Sequence, residues 1–127
     1  MSNLMFVALG GGTGAVLRYL LGVQAMQRLG SGWPYGTFAA NVIGGLLMGV
    51  LAGWLAHRGG ADQERWRLLL GVGLLGGFTT FSAFSLETAL MIERRAYSQA
   101  FGYAALSVAL SIAALFVGLL LARRVFA

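Results

Sequence analysis

The chain has no cysteine, which excludes disulfides and thiolate metal sites and leaves the redox compartment open. It has one histidine, His57, at the end of an apolar stretch, and no cluster of carboxylates suited to a hard cation. Acids are scarce, and the first of them is Asp62. That scarcity disposes of a decoy. The run GGGTGA, Gly10 to Ala15, satisfies the G-x-G-x-x-A dinucleotide fingerprint, but no acid follows about 20 positions later to hold a ribose. It also lies inside an apolar stretch, where glycines serve close packing. No catalytic residue is assigned, and an enzyme is not expected. Lysine is absent too: all nine basic residues are Arg, and the net charge is +5. They stand singly or in pairs near the ends of apolar stretches with no long basic face, so they read as loop anchors and nucleic acid is not an expected partner.

Only 10% of the 127 residues are charged and 58% are hydrophobic, whereas a soluble domain carries about 25% charged residues. The apolar residues gather into four spans, at about 4–28, 36–56, 66–93 and 98–122. Each reaches the roughly 20 residues that cross a hydrocarbon core of about 30 Å. The sequence therefore predicts one all-α, four-helix transmembrane domain over residues 1–127, with the lipid bilayer as its solvent. No Lys or Arg precedes the first span and its apolar run is long, so it reads as a retained helix and not a secretory signal. The connections are short: Gly30 to Tyr35 with the only proline, His57 to Glu64, and Arg94 to Tyr97. None forms a soluble domain, so function lies among the helices, and no long internal repeat points to a duplicated transporter.

Four spans put Arg58, Arg65, Arg67, Arg123 and Arg124 on one side of the membrane and Arg28, Arg94 and Arg95 on the other. Lys/Arg excess in short loops orients membrane helices. Here the imbalance is small, and either an orientation with the N-terminus inside is weakly preferred or both are made. Four helices also leave little room for a water-lined route with protein on every side, which predicts an oligomer. Small residues offer surfaces for close packing: Gly45, Gly49 and Gly53 on the second span, and on the first a recurrence every four residues of Gly10, Gly14, Arg18 and Gly22.

Polar residues inside the spans are the candidate functional ones. Ionisable groups at membrane depth face a partner or a water-filled cavity, and Arg18 and Glu87 qualify, with structural and functional roles both open. Thr37 and Asn41 stand four apart on one helix face, as do Tyr103, Ser107 and Ser111 on the fourth span. In FTTFSAFSLET, Phe78 to Thr88, phenylalanine precedes a hydroxyl residue three times at a spacing of three. On a helix, each step of three rotates by about −60°, so the rings and hydroxyls wind together around the axis. Gly76 and Gly77 just before this segment weaken the helix, and a break there would expose carbonyls at membrane depth, tolerable only if buried in protein or satisfied by an ion or water. Hydroxyls, a carboxamide and the positive edges of phenyl rings together suit a small dehydrated anion without trapping it.

The four segments GGGTGAVLRY, GTFAANVIGGLLMG, GLLGGFTTFSAFSLET and Tyr-x3-Ser-x3-Ser, in this order along nearly the whole chain, resemble the Fluc fluoride channels, also called CrcB proteins. The resemblance implies an antiparallel, dual-topology homodimer with the third helix broken near its middle. It implies passive export of fluoride across the cell inner membrane through two pores, lowering cytoplasmic fluoride. Phe81, Phe84 and Asn41 would line the fluoride path, with Tyr103, Ser107 and Ser111 from the fourth helix; Thr37, Ser82 and Glu87 would belong to the polar track. Backbone carbonyls of Gly76 and Thr79 would hold a structural Na⁺ at the dimer interface, and Arg18 would sit near an aqueous vestibule. One position departs from the pattern: Ala83 stands where the family commonly has Ser or Thr, and conduction is expected to survive without that hydroxyl. The alternative is a proton-coupled exporter of the small multidrug-resistance type, which uses an acid in its first helix; here the first span has none.

Overall fold

The structure is a computed structural model and describes residues 2–126, among which only helices occur as regular elements. The first span is α1, Asn3–Leu29, and the second is α2, Tyr35–Arg58. The third is composite. It begins as α3, Gln63–Trp66, widens into π-helical turns over Arg67–Leu75, returns to α-geometry as the single turn α4, Gly76–Phe78, breaks at Thr79 and Thr80, and resumes as α5, Phe81–Glu93. The fourth span is α6, Tyr97–Phe126. All four segments are long and apolar enough to cross a membrane. They overrun the expected spans by a few residues because caps, not hydropathy, set helix ends. Ser2 accepts from the Met5 amide at the start of α1, and Gly30, at φ 84°, ends it in a conformation that glycine adopts without strain.

Backbones approach each other closely along two seams. A Cβ added at Gly49 would lie 2.1 Å from the Leu115 carbonyl oxygen of α6, and one at Gly118 of α6 would lie 2.2 Å from the Leu46 oxygen of α2. The glycine stripe of the second span thus finds its partner within the chain. The stripe of the first span does the same: a Cβ at Gly10 would fall 2.3 Å from the Leu69 oxygen, and one at Gly14 2.1 Å from the Leu74 oxygen, both in the π-helical turns. In a bilayer the tails are as apolar as leucine, so association of these helices rests on this close fit and not on expulsion of water.

The break lies just beyond the glycines expected to carry it. Gly76 and Gly77 are helical. Gly77 is needed for proximity, since a Cβ there would lie 2.4 Å from the Gly11 oxygen. Side chains are buried mainly at the two ends of α2. Leu51, Leu55 and Leu75 cluster with Met48, Trp54 and Leu70 at one end, and Met91, Ala100 and Tyr103 with Trp33, Phe38 and Phe84 at the other. Outward faces carry exposed apolar side chains such as Leu9, Leu20, Phe101 and Phe116.

The turns are held by polar contacts. Arg58 donates to both oxygens of Asp62 at 2.6 and 2.9 Å, Trp66 Nε1 donates to the same carboxylate at 3.2 Å, and the Arg58 guanidinium lies 5.2 Å from the Trp54 ring centroid. The hydrogen bonds from Arg58 hold the Asp62 carboxyl down to about 2. Between α5 and α6 the chain turns through Arg95 at φ 61°, the only residue besides glycine with positive φ among those described.

Gly49→Val is predicted to lower the thermal midpoint of the detergent-solubilised protein, because overpacking costs about 1–3 kcal/mol. Gly102→Ala, where an added Cβ meets nothing within 4 Å, should leave it unchanged or raise it. Equal midpoints for Gly49→Val and the unaltered protein would refute the close-contact account of the seam between α2 and α6.

Candidate functional site

Thr79 and Thr80 adopt extended backbone, φ −86° ψ 159° and φ −153° ψ 123°. In an unbroken helix the Thr80 amide would serve the Gly76 carbonyl. Here it donates to Asn41 Oδ1 at 2.8 Å, and Asn41 Nδ2 donates back to the Thr80 carbonyl at 3.0 Å. One carboxamide thereby satisfies both backbone groups of the residue that begins α5. The Thr80 hydroxyl caps the same helix by accepting from the Ala83 amide at 3.1 Å. On the other side of the break, Thr79 turns its amide and its hydroxyl to the Leu75 carbonyl, each at 3.0 Å, and Arg18 Nε donates to the Gly77 carbonyl at 3.3 Å. The Thr79 carbonyl receives no hydrogen bond from the described residues. Gly44 makes the crossing possible: a Cβ there would lie 2.1 Å from Thr79 Cγ2.

Beyond the break, α5 carries its polar residues toward α2 and α6. Glu87 accepts from Thr37 Oγ1 at 2.5 Å on one oxygen and from the Tyr103 hydroxyl at 3.2 Å on the other. Three spans therefore meet at one carboxylate. Tyr103 is 1% exposed, and its ring centroid lies 5.2 Å from that of Phe84, which lies 5.5 Å from that of Phe81. Successive turns along α6 bring Ser107 and Ser111, whose hydroxyl oxygens are buried and have no hydrogen-bond partner among the described residues.

Two clefts flank this chain of groups. One, of about 400 Å³, is lined by Asn41, Thr79, Phe81, Phe84, Ser107 and Ser111 among others. The second, of about 350 Å³, lies under the first loop and is lined by Trp33, Thr37, Glu87 and Arg94 with neighbouring backbone. Tyr103 connects them, with its hydroxyl on Glu87 and its ring against Phe84. The first cleft is walled by two phenyl rings and by serines whose unpaired hydroxyls are buried beside it, with no cationic side chain in its lining, which is chemistry for holding a small anion loosely.

Most of the residues singled out from sequence come together here, and three do not; Gly76 is helical and lines neither cleft. Ser82 is exposed, its hydroxyl 3.2 Å from that of Thr80, and it lines neither cleft. Arg18 lines neither cleft either; its hydrogen bond is to the broken segment. Phe81 lines the larger cleft yet is 77% exposed in the single chain. Trp33, Gly44 and Gln99 were not singled out. Gly44 sits directly before the Gly45 stripe and carries a readable packing signal. The other two act through contacts between distant parts of the chain.

Replacing Asn41 with Leu leaves the Thr80 N–H and C=O unpaired, at about 1–3 kcal/mol for each buried group. The expected result is a lower thermal midpoint together with faster hydrogen exchange at the Thr80 amide. Slow exchange at Thr80 in Asn41→Leu would mean that the carboxamide does not hold the break.

The profile of the family described as CrcB-like protein, Camphor Resistance (CrcB), matches residues 5–119. A protein named fluoride-specific ion channel FluC from Phenylobacterium zucineum (strain HLK1) is 76% identical, and one of the same name from Caulobacter vibrioides (strain NA1000 / CB15N) is 68% identical, each match covering 100% of both chains. A third of that name, from Mesorhizobium japonicum, is 49% identical over 97% of this chain and 98% of its own. The matched region holds the glycine seams, the break and every residue around the two clefts, and with identities of this size along its full length the chain belongs to the CrcB family.

Proposed function

We propose that this chain is a fluoride-selective channel that lets fluoride leave the cell passively across the inner membrane. The observation that carries the reading is the pair of buried, unpaired hydroxyls of Ser107 and Ser111 in a cleft walled by Phe81 and Phe84. Buried polar groups without partners are uncommon and call for an explanation such as an ion or water. A small anion that accepts hydrogen bonds supplies the missing partner, and the relatives bear the name of a fluoride channel.

In this reading the anion sheds water and exchanges it for hydroxyl donors and ring edges. The donors are neutral, so the ion is held loosely enough to leave. Asn41 contributes the N–H that Thr80 does not use. The Thr37 and Tyr103 hydroxyls, which point at Glu87 from both sides, form the link between the two clefts. Chloride is larger and a weaker hydrogen-bond acceptor, and gains less from these donors. Ala83 supplies only its amide to the cap of α5 and lines neither cleft, which supports conduction without a hydroxyl at that position.

The working unit is an antiparallel, dual-topology homodimer with two pores. Its support is the outward exposure of Phe81 beside a cleft that is open on one side, together with the near balance of arginines across the membrane. A structural Na⁺ at the dimer interface fits the donors at the break: the Thr79 carbonyl has no hydrogen bond, and the Gly76 carbonyl has lost the Thr80 amide to Asn41. Gly76 and Thr79 would hold it through these oxygens, and the bound ion would supply a fixed positive charge at membrane depth. Ser82 joins the track in this assembly, and Arg18 braces the break near the vestibule.

Liposomes containing only this protein should release trapped fluoride and retain chloride; sound proteoliposomes that keep their fluoride would sink the proposal. In the same assay, Phe81→Ile and Phe84→Ile should each slow release by about tenfold or more through loss of the ring edge. Wild-type rates in both would remove the rings from the mechanism. Ala83→Thr should leave an already robust flux robust, and a rise from no flux to robust flux would mean the hydroxyl is required.

For the orientation, the absence of cysteine lets a single Ser31→Cys report the first loop alone. Dual topology predicts that an impermeant thiol reagent labels about half of the molecules from each side of the membrane. Labelling confined to one side would exclude an antiparallel dimer.

A further inference from the structure

Trp33 stands in a loop otherwise built from turn residues, Gly30, Ser31, Gly32 and Pro34, and its ring turns inward. It meets three other rings: Tyr35 at 5.2 Å, Phe38 at 5.0 Å and Tyr103 at 5.1 Å between centroids, the last almost perpendicular at 82°. The loop that carries it is tied down. Gln99 Nε2 donates to the Gly32 carbonyl at 3.2 Å, which links the loop to α6 one turn before Tyr103, and the Tyr35 amide donates to the Trp33 carbonyl at 2.8 Å.

Tyr103 therefore touches two rings, Phe84 from α5 and Trp33 from the loop. Its hydroxyl reaches Glu87 at 3.2 Å, long for an O–H···O bond, whose usual separation is about 2.7–2.8 Å. A bond at that distance has no slack, and a small rotation of the phenol away from α5 breaks it. Trp33 packs against the same phenol ring, so its indole limits how far that ring can turn. It also lines the smaller cleft beside Thr37 and Glu87, so the same ring forms the wall of the route to the carboxylate.

We infer that Trp33 is a positioning residue of the ion pathway: its indole, carried on the first loop and anchored through Gln99, fixes the Tyr103 phenol against Glu87. The inference rests on the fluoride-channel reading above and deepens it by adding a loop residue to a track otherwise made of helix residues. The competing account is that Trp33 is an interfacial anchor, since tryptophan is enriched where membrane spans meet water. An anchor acts independently of Tyr103, whereas a positioning residue acts only through it.

The test is a mutant cycle on fluoride release from liposomes, with Trp33→Ala, Trp33→Phe, Tyr103→Phe and the double variant Trp33→Ala/Tyr103→Phe. Trp33→Ala should slow release by about tenfold, and Trp33→Phe, which restores a ring edge, should stay within about threefold of wild type. The double variant should be no slower than the slower single one, because residues acting through one bond do not add. Losses that multiply, or a wild-type rate in Trp33→Ala, would overturn the inference while leaving the channel itself standing. Should Trp33→Ala fail to fold, Trp33→Leu fills the space without an aromatic edge; slow release is expected, and wild-type release overturns the inference. No release from the unaltered protein would overturn the channel reading and this inference with it.

Discussion

Inside a bilayer no water is at hand for an exposed N–H or C=O, and each unsatisfied group costs several kcal/mol. A helix broken at membrane depth must therefore find partners for its freed groups on other elements. In this protein Asn41 from α2 serves both backbone groups of Thr80, and Arg18 from α1 serves the Gly77 carbonyl. Both side chains reach only because α1 lies nearly in backbone contact with the third span through Gly10, Gly14 and Gly77, and because Gly44 of α2 leaves room for the Thr79 side chain. The glycine seams and the break are two parts of one requirement.

The polar track follows from where the helix restarts. Phe81 is the first residue of α5, so steps of three carry Phe84 and then Glu87 progressively around the helix toward α6 and α2. Phe81 is left facing outward, Phe84 meets Tyr103, and Glu87 meets Thr37 and Tyr103. A track of mixed rings and hydroxyls thus arises from a regular spacing on one helix set against a spacing of four on another.

Four spans and the packing stripes were legible because both depend on composition and period within single helices. Helix ends were less so, since Ser2 and Gly30 extend or stop α1 by capping rather than by hydropathy. The break was read from Gly76 and Gly77, yet extended backbone falls on the β-branched Thr79 and Thr80, and Gly77 serves proximity to Gly11. The π-helical turns of Arg67–Leu75 left no mark in the sequence. Residue types in the track were readable, but their pairings were not. Glu87 is fifty positions from Thr37 and sixteen from Tyr103, and only the packed helices bring them together.

Arg95 joins two matters usually treated apart. Its positive φ is a conformation that glycine adopts freely and other residues adopt at a cost of about 1 kcal/mol or more. Glycine would ease the turn, yet it would also remove one of the three loop arginines on that side and leave Arg28 and Arg94 against five opposite. Comfort of the backbone and the supply of loop charge pull against each other at one residue. A slightly strained corner between α5 and α6 therefore carries one of the three arginines that anchor that side of the molecule.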